Sequence, residues 1–164
     1  MSDPVIASIE GATGIIDLAR PEKFNCLSLD VHERIAAARA EFEANPDIRA
    51  ILIRAQGKHF CTGADLNEVK GKLNDPAALD HFIAFGMKNL RALETSSLPV
   101  VVAVQGLCLA GGIELMLACD VCFAFVLHIQ NQSAYPLHLF ASQILQSAAL
   151  VAVVFFSHMH STTI

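Results

Sequence analysis

A chain of 164 residues is long enough for one domain with a sizeable core, and a formal net charge of −5 leaves no basic face, which sets nucleic acid aside as a partner. Met1-Ser2-Asp3-Pro4 has neither the basic start nor the long apolar run of a secretory leader. Hydrophobic content is 54% with a mean hydropathy of +0.48, and five cysteines (Cys26, Cys61, Cys108, Cys119, Cys122) scattered through apolar segments read as reduced thiols of a cytoplasmic protein, not a disulfide framework.

Residues 5–9 and 14–18 read as strands joined by the turn Glu10-Gly11-Ala12-Thr13. Arg20-Pro21 ends the second, because proline removes a ladder donor. Ser28 reads as the N-cap of a helix over 29–44, with Asp30 in its first turn and Val31, Ile35, Ala38 and Phe42 on one face. Asn45-Pro46-Asp47 closes it. Residues 50–55 form a buried-type strand, after which Gln56-Gly57-Lys58 starts a loop toward Gly63. Asp75-Pro76 opens a helix that runs to Glu94, with Leu79, Phe82, Ile83, Gly86, Leu90 and Leu93 on its inner face.

The β-branched run over 100–104 predicts a strand buried on both faces. Gly106 ends it, Gly111-Gly112 predict a sharp turn, and residues 113–119 predict a short helix with Glu114 in its first turn. Residues 121–124 suit one further strand. Strands alternating with helices argue for parallel pairing and an α/β class.

Three segments carry a resemblance. Gly106-Leu107-Cys108-Leu109-Ala110-Gly111-Gly112-Ile113-Glu114-Leu115, followed by Leu117-Ala118-Cys119-Asp120, resembles the signature of the enoyl-CoA hydratase/isomerase (crotonase) family. Arg20-Pro21-Glu22-Lys23-Phe24-Asn25-Cys26-Leu27 resembles that family's first CoA-binding loop, and Lys58-His59-Phe60-Cys61-Thr62-Gly63-Ala64-Asp65-Leu66 its Phe-x-x-Gly-Ala-Asp-Leu turn. All three stand in the family's order within residues 5–124. The resemblance implies a crotonase-like spiral of repeated ββα turns, incomplete at the C-terminus. It also implies an acyl-CoA-processing enzyme of the hydratase/isomerase type in fatty-acid metabolism, working as a homo-trimer or hexamer. The CoA thioester is then the substrate, with neither a cofactor nor a metal.

The same resemblance implies site residues. The backbone N–H groups of Ala64 and Gly111 would hold the thioester carbonyl oxygen, where charge develops as an enolate forms. The plainer reading makes both turns strand-to-helix connectors. Glu114 matches one of the two glutamates with which hydratases deliver water, and otherwise reads as a surface acid in the first turn of a helix. Hydration needs a second carboxylate beyond Asp120, and the chain has no Asp or Glu there. Arg20, Lys23, Asn25 and Leu27 form the CoA-contact loop, with Arg20 and Lys23 available to phosphate, or else form a solvated charged loop. Ala64, Asp65, Leu66 and Gly111 complete the implied binding set, and Asp65 also suits an N-cap for a helix starting near Leu66.

Other spellings carry less. Cys119-Asp120-Val121-Cys122 has no second ligand pair, so two buried thiols at a helix-to-strand junction is the better reading. The glycines at 106–112 have no Lys-Ser/Thr after them, and no Gly-x-Gly-x-x-Gly occurs.

All 11 Lys and Arg and all 16 Asp and Glu lie at or before Asp120. This divides the chain into residues 1–124, a crotonase-like acyl-CoA-binding core, and residues 125–164, an uncharged apolar tail unlike the family. Residues 137–156 are long enough to cross a bilayer as a helix. Ser142, Gln143, Gln146 and Ser147 interrupt that run and no Lys or Arg flanks it, which favours collapse onto the sheet. The competing reading of the whole chain is a truncated, catalytically inactive crotonase fragment with an aberrant or membrane-seeking tail.

Overall fold

Six strands join one sheet in chain order, with helices carrying the connections between its parallel members. The structure, a computed structural model, describes residues 3–125 and 151–153. The strands are β1 (Val5–Glu10), β2 (Thr13–Leu18), β3 (Ala50–Ala55), β4 (Val100–Gln105), β5 (Val121–Phe125) and β6 (Val151–Val153). The helices are α1 (Leu29–Ala44), α2 (Leu66–Lys72), α3 (Pro76–Glu94) and α4 (Gly111–Leu117), with a short 3-10 turn at Pro21–Lys23. β2, β3, β4 and β5 pair in parallel, and antiparallel pairs at either edge add β1 and β6. This is a mixed α/β architecture, as the alternation of strands and helices predicts.

Parallel pairing needs crossover connections, and α1 supplies the first. Ser28 caps it by accepting the Val31 N–H at 3.2 Å, and Val31, Ile35, Ala38 and Phe42 are buried along one face. Phe42 lies over Gly14, where an added Cβ would sit 2.4 Å from the ring. The strand surface must therefore be bare at that point. Opposite β2 and β3 residues are also locked by charge: Asp17 pairs with Arg54 in register, and their side chains meet at 2.6 Å.

The core runs through Ile16, Leu18, Ile51, Ile53, Val100 and Val102, with Phe60, Leu93 and Leu115 packed onto them. Three expectations need correction. β4 is not buried evenly on both faces: Val100, Val102 and Val104 are buried, while Val101, Ala103 and Gln105 are only half-covered. On α3 the inner line is Phe82, Gly86, Asn89 and Leu93, and Ile83 is exposed, because the helix turns a polar Asn89 inward to meet His32 of α1. α4 begins at Gly111, two residues early, so the glycine pair forms its first turn and the sharp bend falls on Ala110 at φ 46°.

The division between residues 124 and 125 falls inside β5, whose partner β6 comes from the uncharged tail. Val151–Val153 of the apolar run at 137–156 are therefore strand, and most of that run lies outside the described residues. No helix among the described residues is long and apolar enough to cross a membrane.

Candidate active site

Three loops leave β2, β3 and β4 at the same, C-terminal edge of the parallel strands, the edge where open α/β sheets take their ligands. They are the segments 19–28, 56–65 and 106–110, and each of the three motifs begins in one of them.

The second and third loops are laced together. The Phe60 N–H is shared between the Gln105 and Leu107 carbonyls at 2.8 and 3.0 Å, Leu109 N–H donates to the Cys61 carbonyl at 3.0 Å, and Leu107 N–H to His59 Nδ1 at 3.1 Å. Cys61 and Cys108 are partners in an isolated parallel bridge. Gly106 at φ 60° is needed here, since a Cβ would lie 2.2 Å from the Lys58 carbonyl oxygen. The lacing sets Gly63 against Ala110 and Gly111: a Cβ on Gly63 would meet Gly111 N at 3.0 Å, and one on Gly111 would meet Ala64 N at 3.5 Å. The Ala64 and Gly111 amides thus lie side by side. Among the described residues neither donates a hydrogen bond.

The first loop braces this arrangement from below. Leu27 N–H donates to the Gly63 carbonyl and Asp65 N–H to the Leu27 carbonyl, both at 2.8 Å, so Leu27 and Ala64 form a second parallel bridge. Asn25 is buried at φ 53°; its Oδ1 accepts the Arg20 N–H at 2.8 Å and its Nδ2 donates to the Gln56 and His59 carbonyls at 2.9 and 2.8 Å. Every polar atom of that side chain is spent on backbone. Asn25 holds two loops together through its side chain.

Arg20 is similarly turned inward. Its guanidinium meets Asp65 Oδ2 at 3.0 Å and donates to the Cys26 carbonyl at 3.2 Å, with side chains 14% and 9% exposed. Asp65 is also the N-cap of α2, accepting from Asn67 and Glu68 N–H. Burial pushes the Asp65 carboxyl up, yet hydrogen bonds from Arg20, the Cys26 thiol and those two amides outweigh it and hold the pKa below the ordinary aspartate value. Leu27 is buried, whereas Lys23 and Leu66 are exposed. Glu114 is exposed on the first turn of α4, with no ion pair among the described residues.

The residue types that the sequence reading passed over are the ones that fix the geometry. His59 and Cys61 lie inside the second motif and Gln105 just before the third; His59 and Gln105 (Nε2 to the Ala55 carbonyl, 2.7 Å) tie loop to loop, and Cys61 Sγ accepts the Gly63 N–H within its own loop. Their signal was polar or small side chains at strand ends, which is common to many turns. Cys61 and Cys108 are also shielded chemically. Burial pushes their thiols up to about 12 and about 11, so both stay protonated.

The fold is thus an α/β protein whose parallel sheet presents, at its C-terminal edge, two neighbouring backbone amides with no acceptor among the described residues. A model of the enoyl-CoA hydratase/isomerase family matches residues 8–130, and the chain belongs to that family. It is 33% identical over 112 residues to the peroxisomal Delta(3,5)-Delta(2,4)-dienoyl-CoA isomerase of Arabidopsis thaliana, covering 62% of this chain and 40% of that protein. It is 36% identical over 120 residues to a mevalonyl-coenzyme A hydratase of Beauveria bassiana, covering 67% and 41%. Among solved structures, an enoyl-CoA hydratase from Thermoplasma volcanium superposes with a TM-score of 0.69 at 31% identity over 75% of this chain and 48% of that one. The chain spans less than half the length of the curated relatives it matches.

Proposed function

We propose that this chain binds an acyl-CoA thioester with the carbonyl oxygen between the Ala64 and Gly111 N–H groups, and that its chemistry passes through the thioester enolate. The observation that carries this reading is the apposition of two backbone amides that no acceptor among the described residues uses. An unpaired N–H at a turn is costly unless water or a ligand takes it, and donors preset at a developing oxyanion contribute most in the transition state. Non-glycine residues at positive φ flank the spot on both sides (Phe24, Asn25 and Ala110), and strain of that kind concentrates where geometry is functional.

In this reading Lys23, exposed on the first loop, meets CoA phosphate, Leu66 supplies apolar contact while buried Leu27 backs the loop, and Glu114 handles a proton or water beside the carbonyl. CoA is a substrate handle and not a resident cofactor. Calorimetric titration with a short acyl-CoA tests the binding, with saturable heat expected at millimolar ligand or below. No saturation at that concentration ends the proposal.

The lack of any carboxylate in residues 121–164 favours a second reading, in which the chain binds thioester but hydrates enoyl-CoA poorly or not at all. Turnover above the buffer rate that Glu114→Gln lowers by about 100-fold or more, the usual worth of a positioned acid or base, supports an active enzyme. Saturable binding without turnover supports the inactive fragment.

A further inference from the structure

Arg20 stands at the head of a relay that ends at the Ala64 amide. Its guanidinium donates to the carbonyl of the Cys26–Leu27 peptide. The N–H of that same peptide donates to the Gly63 carbonyl at 2.8 Å. Gly63 C=O and Ala64 N–H belong to one planar peptide, so fixing the carbonyl on one side aims the N–H to the other. Gly63 sits at φ 97°, a conformation that leaves glycine free to present this peptide edge-on. Asp65, the residue after Ala64, grips the other arm of the guanidinium, so the fork spans both strands of the Leu27–Ala64 bridge.

We propose that Arg20 is a positioning residue for the Ala64 N–H, acting through two peptide groups, and that it is not a contact for CoA phosphate. The inference rests on the oxyanion reading above. A partly buried cation at the head of two hydrogen-bonded peptides orients them and polarises them in the same sense, which strengthens Ala64 N–H as a donor. The fork is what lysine lacks: a single ammonium keeps the charge but does not reproduce the planar two-point grip.

The test uses the full chain with a short acyl-CoA labelled with 13C at the thioester carbonyl, and with the matching acyl-pantetheine, which has no phosphate. Difference infrared spectra of the bound ligand read how strongly the carbonyl is polarised. In the wild-type chain the band moves to lower wavenumber. Arg20→Lys is expected to reduce that shift and to weaken both ligands by the same factor of about tenfold, as loss of one ordinary hydrogen bond gives. Asp65→Asn, which retains a capping oxygen, is expected to reduce the shift less. It carries the test by the same band where Arg20→Lys fails to fold, as judged by amide-exchange protection at Ile51, Ile53 and Val102. An undiminished carbonyl shift in the variant overturns the relay while leaving the oxyanion reading intact. Loss of affinity confined to the phosphate-bearing ligand overturns it in favour of a phosphate contact. A wild-type chain that shows no carbonyl shift overturns both together.

Discussion

Gly111 and Gly112 are adjacent in sequence and answer to different constraints. A Cβ on Gly112 would lie 2.4 Å from the Cys61 carbonyl oxygen, a backbone atom that cannot step aside, whereas one on Gly111 would make ordinary contacts at 3.4–3.5 Å. Gly112→Ala is therefore expected to destabilise the fold by about 1–3 kcal/mol, the usual cost of overpacking, read as a lower urea midpoint. Gly111→Val leaves the midpoint nearly unchanged and abolishes acyl-CoA heat, because its methyl groups occupy the space beside Ala64 N. Equal effects of the two substitutions on stability would falsify this assignment. His32 sets the pH response. Burial lowers its pKa, with Glu68 of α2 opposing, and Asn89 Nδ2 lies 3.2 Å from its Nδ1. The unfolded chain takes up a proton near the ordinary value of 6.5 while the folded chain does not, so the stability from His32 is present above that pH and is lost as pH falls toward the lowered folded value. The depressed Asp65 acts with the same sign, but only below the ordinary carboxylate range. The urea midpoint is expected to fall between pH 7 and 5, and His32→Gln to flatten that slope. A wild-type midpoint constant over this window rules the account out.

Element boundaries follow caps more closely than propensities. Ser28, Asp65 and Asp75 each accept backbone N–H groups at the starts of α1, α2 and α3. Ser28→Ala is expected to cost about 1 kcal/mol, and Phe42→Ala, which empties the space over Gly14, about 3–5 kcal/mol by chemical denaturation. At its other end α1 is tied to the loop before β4: Glu43 Oε1 accepts from Ser96 Oγ at 2.7 Å and Ser97 N–H at 3.1 Å, and Arg39 pairs with its other oxygen. That tie sets where β4 enters the sheet. Asp120 sets where β5 enters, exchanging hydrogen bonds with Val100 through its Oδ2 and its own N–H at 2.8 and 2.9 Å. Neither polar tie follows from a periodic pattern, since both join residues far apart in sequence.

At the scale of the whole molecule, the covered and uncovered surfaces point to two measurable properties. All five cysteines are free thiols, each with its pKa raised chiefly by burial. Native protein at pH 8 is expected to react slowly with iodoacetamide at every site and completely once unfolded, as counted by mass spectrometry; rapid native labelling of Cys61 or Cys119 contradicts the packing. The outer side of α4 and the loop before it leave Leu107, Leu109, Ile113 and Leu117 exposed, an unusual run for a chain with no charge after Asp120 to solvate it. Self-association is the expected consequence. Sedimentation of the chain after detergent-free lysis should find it in large species or the pellet, and a monodisperse monomer contradicts this.

The local order of the fold was legible because its signals are local. The turn at Gly11, the caps at Ser28 and Asp75, the face Val31–Ile35–Ala38–Phe42 and the β-branched run of β4 each lie within a few residues, and each forms as its neighbours dictate. The resemblance carried by the three motifs pointed to Ala64 and Gly111, and the structure brings those two amides close together. What the sequence alone left undecided was how the motifs use their charges. Arg20 and Asn25 read as loop residues open to a ligand, and Ile83 read as core. The sheet turned Arg20 onto Asp65, buried Asn25 between two loops, and rolled α3 until Asn89 met His32. Those outcomes depend on partners 31 to 57 positions away, brought close only when parallel strands stack their C-terminal ends on one edge. Chemistry that lies within one turn is written in the chain; chemistry shared between turns is decided by which strands lie side by side.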